Sequence, residues 1–298
     1  MHWKAKALAF NVFNTVPFGT YFHYASQKFL TRSLPRTDAE ILGVVSHVQK
    51  HIDIFKEFYV DFPNAILLEF GAGWDLVNNL VMYCYGINRQ IVFDRTTLAR
   101  QELINSAIKK VKRIKLVRCV RLPTYYVSKN FRDDLKKFYG IEYTAPADAA
   151  ATDFASESVD LVVTTSTLEH IPQEEIKEIF KELHRIMHKK SVISMNISYN
   201  DHYSHSDNTI TPYNHLQYSK KQWRKYNPDI HFQNRLRHSD FRDMLVNAGF
   251  VVVSESSIVP ERAEAMLKSI NLADEFKGYK KDDIIKIYEN ISVMKEVS

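Results

Sequence analysis

Apolar positions along the chain change period several times, and each change marks an element. Thr37-Asp38-Ala39-Glu40 reads as a helix start, with an N-cap residue followed by acids in the first turn. Ile41, Val44, Val45, Val48, Ile52 and Phe55 then keep a helical stripe. Residues 65–70 are a short apolar run that stops at Gly71-Ala72-Gly73, which predicts a buried strand and a tight turn. A helix follows through Leu76, Leu80 and Tyr83, and a second strand over 90–93 ends at Asp94. The next helix starts near Leu98. Further strands are predicted over 141–144, 159–163, 192–197 and 250–254, with a short one near 291–294. Residues 173–188 carry Ile176, Ile179, Phe180, Leu183 and Met187 on one helical face, and another helix is expected over 238–247. Strands alternating with helices imply an α/β fold with a mostly parallel sheet covered on both faces.

Composition narrows the class. The 298 residues, at 45% hydrophobic and 25% charged, are ordinary for a globular chain of one elaborated domain or two smaller ones, and argue against disorder. Cys84 and Cys119 are the two cysteines. That excludes a disulfide scaffold and a cysteine zinc module and fits a reducing compartment, so a cytoplasmic location is expected. No apolar run is long enough for a transmembrane helix, and residues 1–19 do not read as a signal peptide. Residues 1–36 are rich in aromatics, including Trp3, Phe10, Phe13, Phe18, Phe22, Tyr24 and Phe29, interrupted by Pro17 and Gly19. This predicts an extension packed onto a domain rather than a free tail.

The net charge is +5, but its distribution is uneven. Lys109 to Lys137 holds eleven Lys or Arg against Asp133 and Asp134. Such a run grips an anion (a phosphorylated substrate, nucleic acid or a lipid surface), or it is a solvated helix face.

The candidate chemistry begins at Glu69-Phe70-Gly71-Ala72-Gly73. Glycines after a first strand let a ligand approach the backbone closely. Asp94 lies 94 − 73 = 21 residues beyond Gly73, at the end of the second strand, where an acid accepts hydrogen bonds from the ribose hydroxyls of a nucleoside cofactor. This much fits a dinucleotide or S-adenosylmethionine. Leu76 stands where a pyrophosphate loop has its third glycine, which argues against the dinucleotide.

Together with residues 147–154, 158–163 and Ser166-Thr167-Leu168-Glu169-His170-Ile171, the pattern resembles the class I S-adenosylmethionine-dependent methyltransferases over about residues 60–200. The resemblance implies a Rossmann-like seven-stranded sheet of order 3-2-1-4-5-7-6 with helices on both faces. It also implies S-adenosylmethionine as methyl donor. Glu69, Gly71, Ala72 and Gly73 would line the methionine end, and Asp94, with Arg95 beside it, would bind the ribose. Asp148 would bind the adenine amino group, Ala149 would give a backbone contact, and Thr165 and Ser166 would border the methionine moiety. Trp74 departs from the small residue common at its position. An N-terminal helical and aromatic extension over 1–60 would precede a methyltransferase domain over 61–298. Insertions at about 105–138 and 199–237 would join the extension as a substrate cap.

Methyl transfer to a hydroxyl needs alignment and a proton acceptor. His202 and His205, in the segment after the fifth strand, are the first candidates for that base, and His170 is the next. Glu169 and His170 with His202 or His205 would instead suit a metal. RNA-end methyltransferases with such a site carry a further glutamate where this chain has Ser166, so no metal is expected. Residues 213–237 are dense in aromatics and amides, as in a carbohydrate or heterocycle pocket or in a small structural subdomain. His23, Tyr24 and Gln27 would close over the cofactor or pack in the core. The expected acceptor is a small molecule or glycan, phosphorylated or lipid-linked, methylated on oxygen, with peripheral membrane contact in view. The alternatives are an RNA methyltransferase and a non-catalytic S-adenosylmethionine-binding protein. A nicotinamide oxidoreductase is the rival from another class.

Overall fold

The structure is a computed structural model that describes residues 2–16, 21, 24–25, 27–28, 33–59 and 62–296. Pro17, Phe18, Gly19, Phe22, His23 and Phe29, named above, lie outside the described residues.

Seven strands form one sheet: β1 (Ile66–Phe70), β2 (Arg89–Phe93), β3 (Ile141–Thr144), β4 (Val159–Thr165), β5 (Met187–Ser198), β6 (Phe250–Ile258) and β7 (Tyr288–Lys295). Their order is β3-β2-β1-β4-β5-β7-β6, as the resemblance implied. The first five are parallel, and β7 runs antiparallel between β5 and β6.

Alternation along the strands builds a core on each face. Leu67, Val163 and Val192 point to one face, where they meet the helices α2 (Asp38–Phe58), α3 (Val77–Cys84), α4 (Gln101–Val111) and α5 (Phe131–Tyr139). Leu68, Val162 and Ile193 point to the other, against α6 (Gln173–Ile186) and α7 (His238–Asn247). α1 itself (Trp3–Thr15) belongs to neither layer; it packs on residues 203–230 through Trp3, Phe10, Tyr203 and Trp223.

Three expectations change. First, the boundary near residue 60 is not a division of the fold. α2 starts in a complete Thr37/Glu40 capping box, and it buries Ile41, Val48, Ile52 and Phe55 in the same core as β1, β2 and β4. Second, α6 ends at Ile186 and β5 begins at once, because Met187 pairs with Val159. The sequence hides this: Lys189 and Lys190 are exposed and break the apolar run. Third, residues 112–130 are irregular. They are tied to α3 and α4, by Val120 N–H to Cys84 O (2.9 Å) and Val127 N–H to Asn105 Oδ1 (2.8 Å). Among the described residues, no helix is long and apolar enough to cross a membrane.

Candidate active site

A cleft of about 1870 Å³ opens across the carboxyl ends of β1, β2, β4 and β5, the end where open α/β sheets bind ligands. The half where the resemblance implies the methyl donor (the donor half) is built by the loops after β1 and β2, and the half left for an acceptor (the acceptor half) is roofed by α1 and residues 202–232.

The donor half is mostly backbone. Gly71 (φ +80°) must be glycine, because a Cβ there would lie 2.2 Å from the Thr167 side chain. Thr167 in turn donates to Gly71 O (3.2 Å). Gly73 (φ +75°) has open space where a Cβ would be, so a ligand can lie on its backbone. Asp94 is buried, and its Oδ2 accepts from the Tyr143 hydroxyl (3.0 Å). Burial raises its pKa to about 6, opposed by Tyr143 and the amides of Gly73 and Ala72. Asp148 reaches the cleft exposed, with Oδ1 accepting from Ala150 N–H (2.9 Å). Ala72, Ala149, Thr165 and Ser166 also line the cleft. Arg95 lines it too, but its guanidinium pairs with Glu175 on α6 (2.6 Å) across the rim.

Glu69 is placed differently from the expectation. It is fully buried behind the cleft floor and does not line it. Its Oε1 accepts from Asn78 (3.0 Å), a residue that does line the cleft, and its Oε2 has no partner. Burial pushes its pKa up to about 7. Its reach into the cleft is through Asn78.

Trp74, the departure from the family pattern, is explained by the extension. Its ring stacks on Tyr24 (5.1 Å between centroids), whose hydroxyl donates to Glu102 (2.7 Å). Arg36 beside it pairs with Asp75 (2.9 Å). The segment around Tyr24 and Leu34 thus pins the glycine loop from outside, and Gln27 lines the cleft. Thr165 is fixed by a residue the sequence did not single out. His51 on α2 is buried between Ser194 Oγ (2.7 Å) and Thr165 Oγ1 (3.3 Å), and burial lowers its pKa to about 3.

The acceptor half is side-chain built. The three histidines proposed separately from sequence form one group. His170 and His202 have ring centroids 4.9 Å apart, and His202 and His205 5.4 Å. His231, which the sequence did not single out, is 6.2 Å from His202. Asp201 organises the turn: its Oδ1 caps Tyr203 N–H (2.8 Å) and its Oδ2 accepts from Asn214 (2.6 Å). Asn234 locks the Glu169-His170 turn to the insertion, donating to Leu168 O (2.7 Å) and Ile171 O (2.8 Å). His170 Nδ1 donates to Phe232 O (2.7 Å), which leaves its Nε2 as the lone-pair nitrogen. Burial lowers the pKa of His170 and His205, and of His202 well below its ordinary value, so all three are neutral at pH 7. Lys6, Phe10 and Phe13 from α1 complete the roof.

Two cap expectations are corrected. No residue of 105–138 lines the cleft; residues 120–127 are tied instead to α3, α4 and α5 through Cys84, Asn105 and Tyr139, and the cleft stops at Leu98 and Pro146. Within 213–237, only 229–232 reach it; Tyr213, Leu216 and Trp223 are core packing.

A family model for a methyltransferase domain matches residues 121–195, from the approach to β3 through most of β5. That match and the sheet order together support an S-adenosylmethionine-dependent methyltransferase. This methyltransferase is similar in structure to the PH0226 protein from Pyrococcus horikoshii OT3, with TM-score 0.50 and 11% identity over 92% of this chain and 99% of that one. That likeness concerns the fold. Geranyl diphosphate C-methyltransferase from Streptomyces coelicolor A3(2) gives TM-score 0.48 at 10% identity, covering 84% of this chain and 77% of its own. The YcgJ protein from Bacillus subtilis gives 0.47 at 13%, covering 85% and 100%. No curated protein sequence matches the methyltransferase significantly. Its methyl donor is S-adenosylmethionine, and the donor half fits that group: open backbone at Gly73, a buried acid at the end of β2, and an exposed acid after β3.

Proposed function

We propose that the methyltransferase acts on a hydroxyl of a polar small molecule or glycan, with a histidine of the acceptor half taking the proton. Bound S-adenosylmethionine supplies an electrophilic methyl group on a sulfonium. Asp94 holds the ribose, Asp148 the adenine, and the Gly71–Gly73 backbone lets the methionine end lie close. The acceptor hydroxyl enters beside Ser166 under α1.

The observation that carries the reading is the convergence of His170, His202 and His205 at the mouth of the acceptor half. A neutral hydroxyl is a weak nucleophile, and a neutral imidazole within reach is the base such a reaction uses. Among the three, His205 is the choice. It is exposed to the cleft, and its basicity is depressed less deeply than that of His202. The phosphate of a phosphorylated or lipid-linked acceptor would meet Lys6, since the 109–137 run lies elsewhere.

The test is turnover of labelled S-adenosylmethionine on a panel of sugars, sugar nucleotides and RNA oligomers, with wild type and His205→Ala compared. Transfer to oxygen of a sugar-type acceptor that His205→Ala suppresses supports the reading. Transfer to RNA alone, or binding of the donor without transfer to any member, overturns it.

A further inference from the structure

The acceptor half has a side chamber of about 270 Å³ bordered by Ser166, Glu169, Ser198, His202 and Tyr288. The ligand atoms of Glu169, His170 and His202 all lie within 4.8 Å of one another. Glu169 is 1% exposed, and among the described residues no side chain hydrogen-bonds its carboxyl group, which faces only the backbone amides of Glu169 and Ser198. Burial pushes its pKa up to about 8, and a buried acid that no side chain satisfies calls for an explanation, of which an ion ligated in its place is one.

The two imidazoles are set up to join it. His170 donates Nδ1–H to the Phe232 carbonyl (2.7 Å), the arrangement by which a ligating histidine is usually oriented, with Nε2 left to bind. The backbone of His202 is tied to Gln233 (3.2 Å), while its ring makes no hydrogen bond among the described residues. Lys6 also borders the chamber; its ammonium donates to Ser206 Oγ (2.9 Å).

A second cluster shows what a saturated site looks like. His238, Glu255 and Glu289 also lie within 4.8 Å of one another. There, Glu289 already accepts from Tyr199 (3.0 Å), His238 (2.5 Å) and Ser257 (3.1 Å), and Glu255 pairs with Arg242 (2.9 Å). An ion would have to break those bonds, whereas at Glu169 it would displace no side-chain partner.

We propose that Glu169, His170 and His202 bind one divalent transition-metal ion, with open coordination positions toward the cleft. Two imidazoles and one carboxylate suit Mn²⁺, Fe²⁺, Co²⁺ or Zn²⁺ better than Mg²⁺ or Ca²⁺. On the reading that the acceptor hydroxyl enters here, the ion is a Lewis acid for that oxygen, and His205 is left free to take its proton.

The test needs no acceptor. Full-length protein is stripped with a chelator and titrated with Co²⁺, followed by its visible absorption, and with Mn²⁺ and Zn²⁺ by calorimetry. One equivalent should bind. His202→Ala and His170→Ala should each weaken it by at least about tenfold, and Glu255→Gln should leave it unchanged. Glu169→Gln should abolish it; because Glu169 is buried, circular dichroism must show that variant folded, and the two histidine variants carry the test if it is not. Absence of saturable one-to-one binding in folded wild type, or binding that survives both histidine variants or is lost with Glu255→Gln, overturns the proposal. Turnover that persists in chelated protein would remove the metal and leave the methyl-transfer reading standing.

Discussion

The donor half of the cleft is made of backbone and strand ends, and the acceptor half of side chains on loops. Gly71 and Gly73 shape the first by lacking a Cβ, and Asp94 is carried on a strand that the sheet fixes on both sides. In the second, His170, His202, His205 and His231 come from three separate turns, held in register by Asp201, Gln233 and Asn234. A rigid frame suits a ligand that is the same in every turnover. A loop-borne surface, steadied by buried amides, suits an acceptor that differs between relatives of one fold.

If this division is right, the two halves should fail separately. The largest effect is expected at His205. His205→Ala should lower kcat by about 10²–10⁴-fold while donor affinity, read by calorimetry, stays put. A variant that instead loses donor binding would merge the halves.

Next comes Asp94. Losing charge-assisted hydrogen bonds to the ribose costs roughly 1.5–3 kcal/mol, so Asp94→Ala should weaken S-adenosylmethionine by about 10- to 150-fold. The same residue gives a pH dependence. On the proposed placement the ribose hydroxyls donate to the carboxylate, and burial raises its pKa to about 6. Donor affinity should therefore be full well above pH 6 and decline as the pH falls through it. Affinity that is flat from pH 8 to pH 5 would take Asp94 out of the ribose site.

A smaller change is expected at Trp74. An aromatic pair contributes about 0.5–1.5 kcal/mol beyond its buried area. Trp74→Ala should thus raise the donor Kd by about tenfold at most and leave acceptor KM alone. The smallest effect belongs to the basic run. Replacing Lys112, Arg113 and Lys115 together with Gln should change neither Kd nor KM by more than about twofold at any salt concentration. A strong salt-dependent rise in KM would return that segment to the substrate path.

The donor half was legible because its signals are local. A glycine pair after an apolar run and an acid at the next strand end are close in sequence and fixed by the strand period. Glu69 misled because its neighbours in sequence line the cleft while its own side chain points behind it, to Asn78. The acceptor half was half legible. His170, His202 and His205 were found as types suited to acid–base work, yet their convergence depends on Asn234 and Phe232 clamping two distant turns. His231 carries no local signal at all. The basic run misled most: charge density says that a segment is attracted to anions, but not whether the fold carries it to the cleft. The β5 start was hidden by exposed lysines within a strand.

The extension's contact with the glycine loop also equips the molecule with an optical probe. Of the three tryptophans, Trp74 alone lines the cleft, stacked on Tyr24, whereas Trp3 and Trp223 are buried together behind the acceptor roof, 6.2 Å apart. Emission from a Trp3→Phe/Trp223→Phe protein would report occupancy of the donor half without any label. The reverse replacement, Trp74→Phe, would report movement of the roof. One polypeptide thus offers two separable fluorescence channels, and the order in which the two ligands arrive can be timed in a stopped-flow cell.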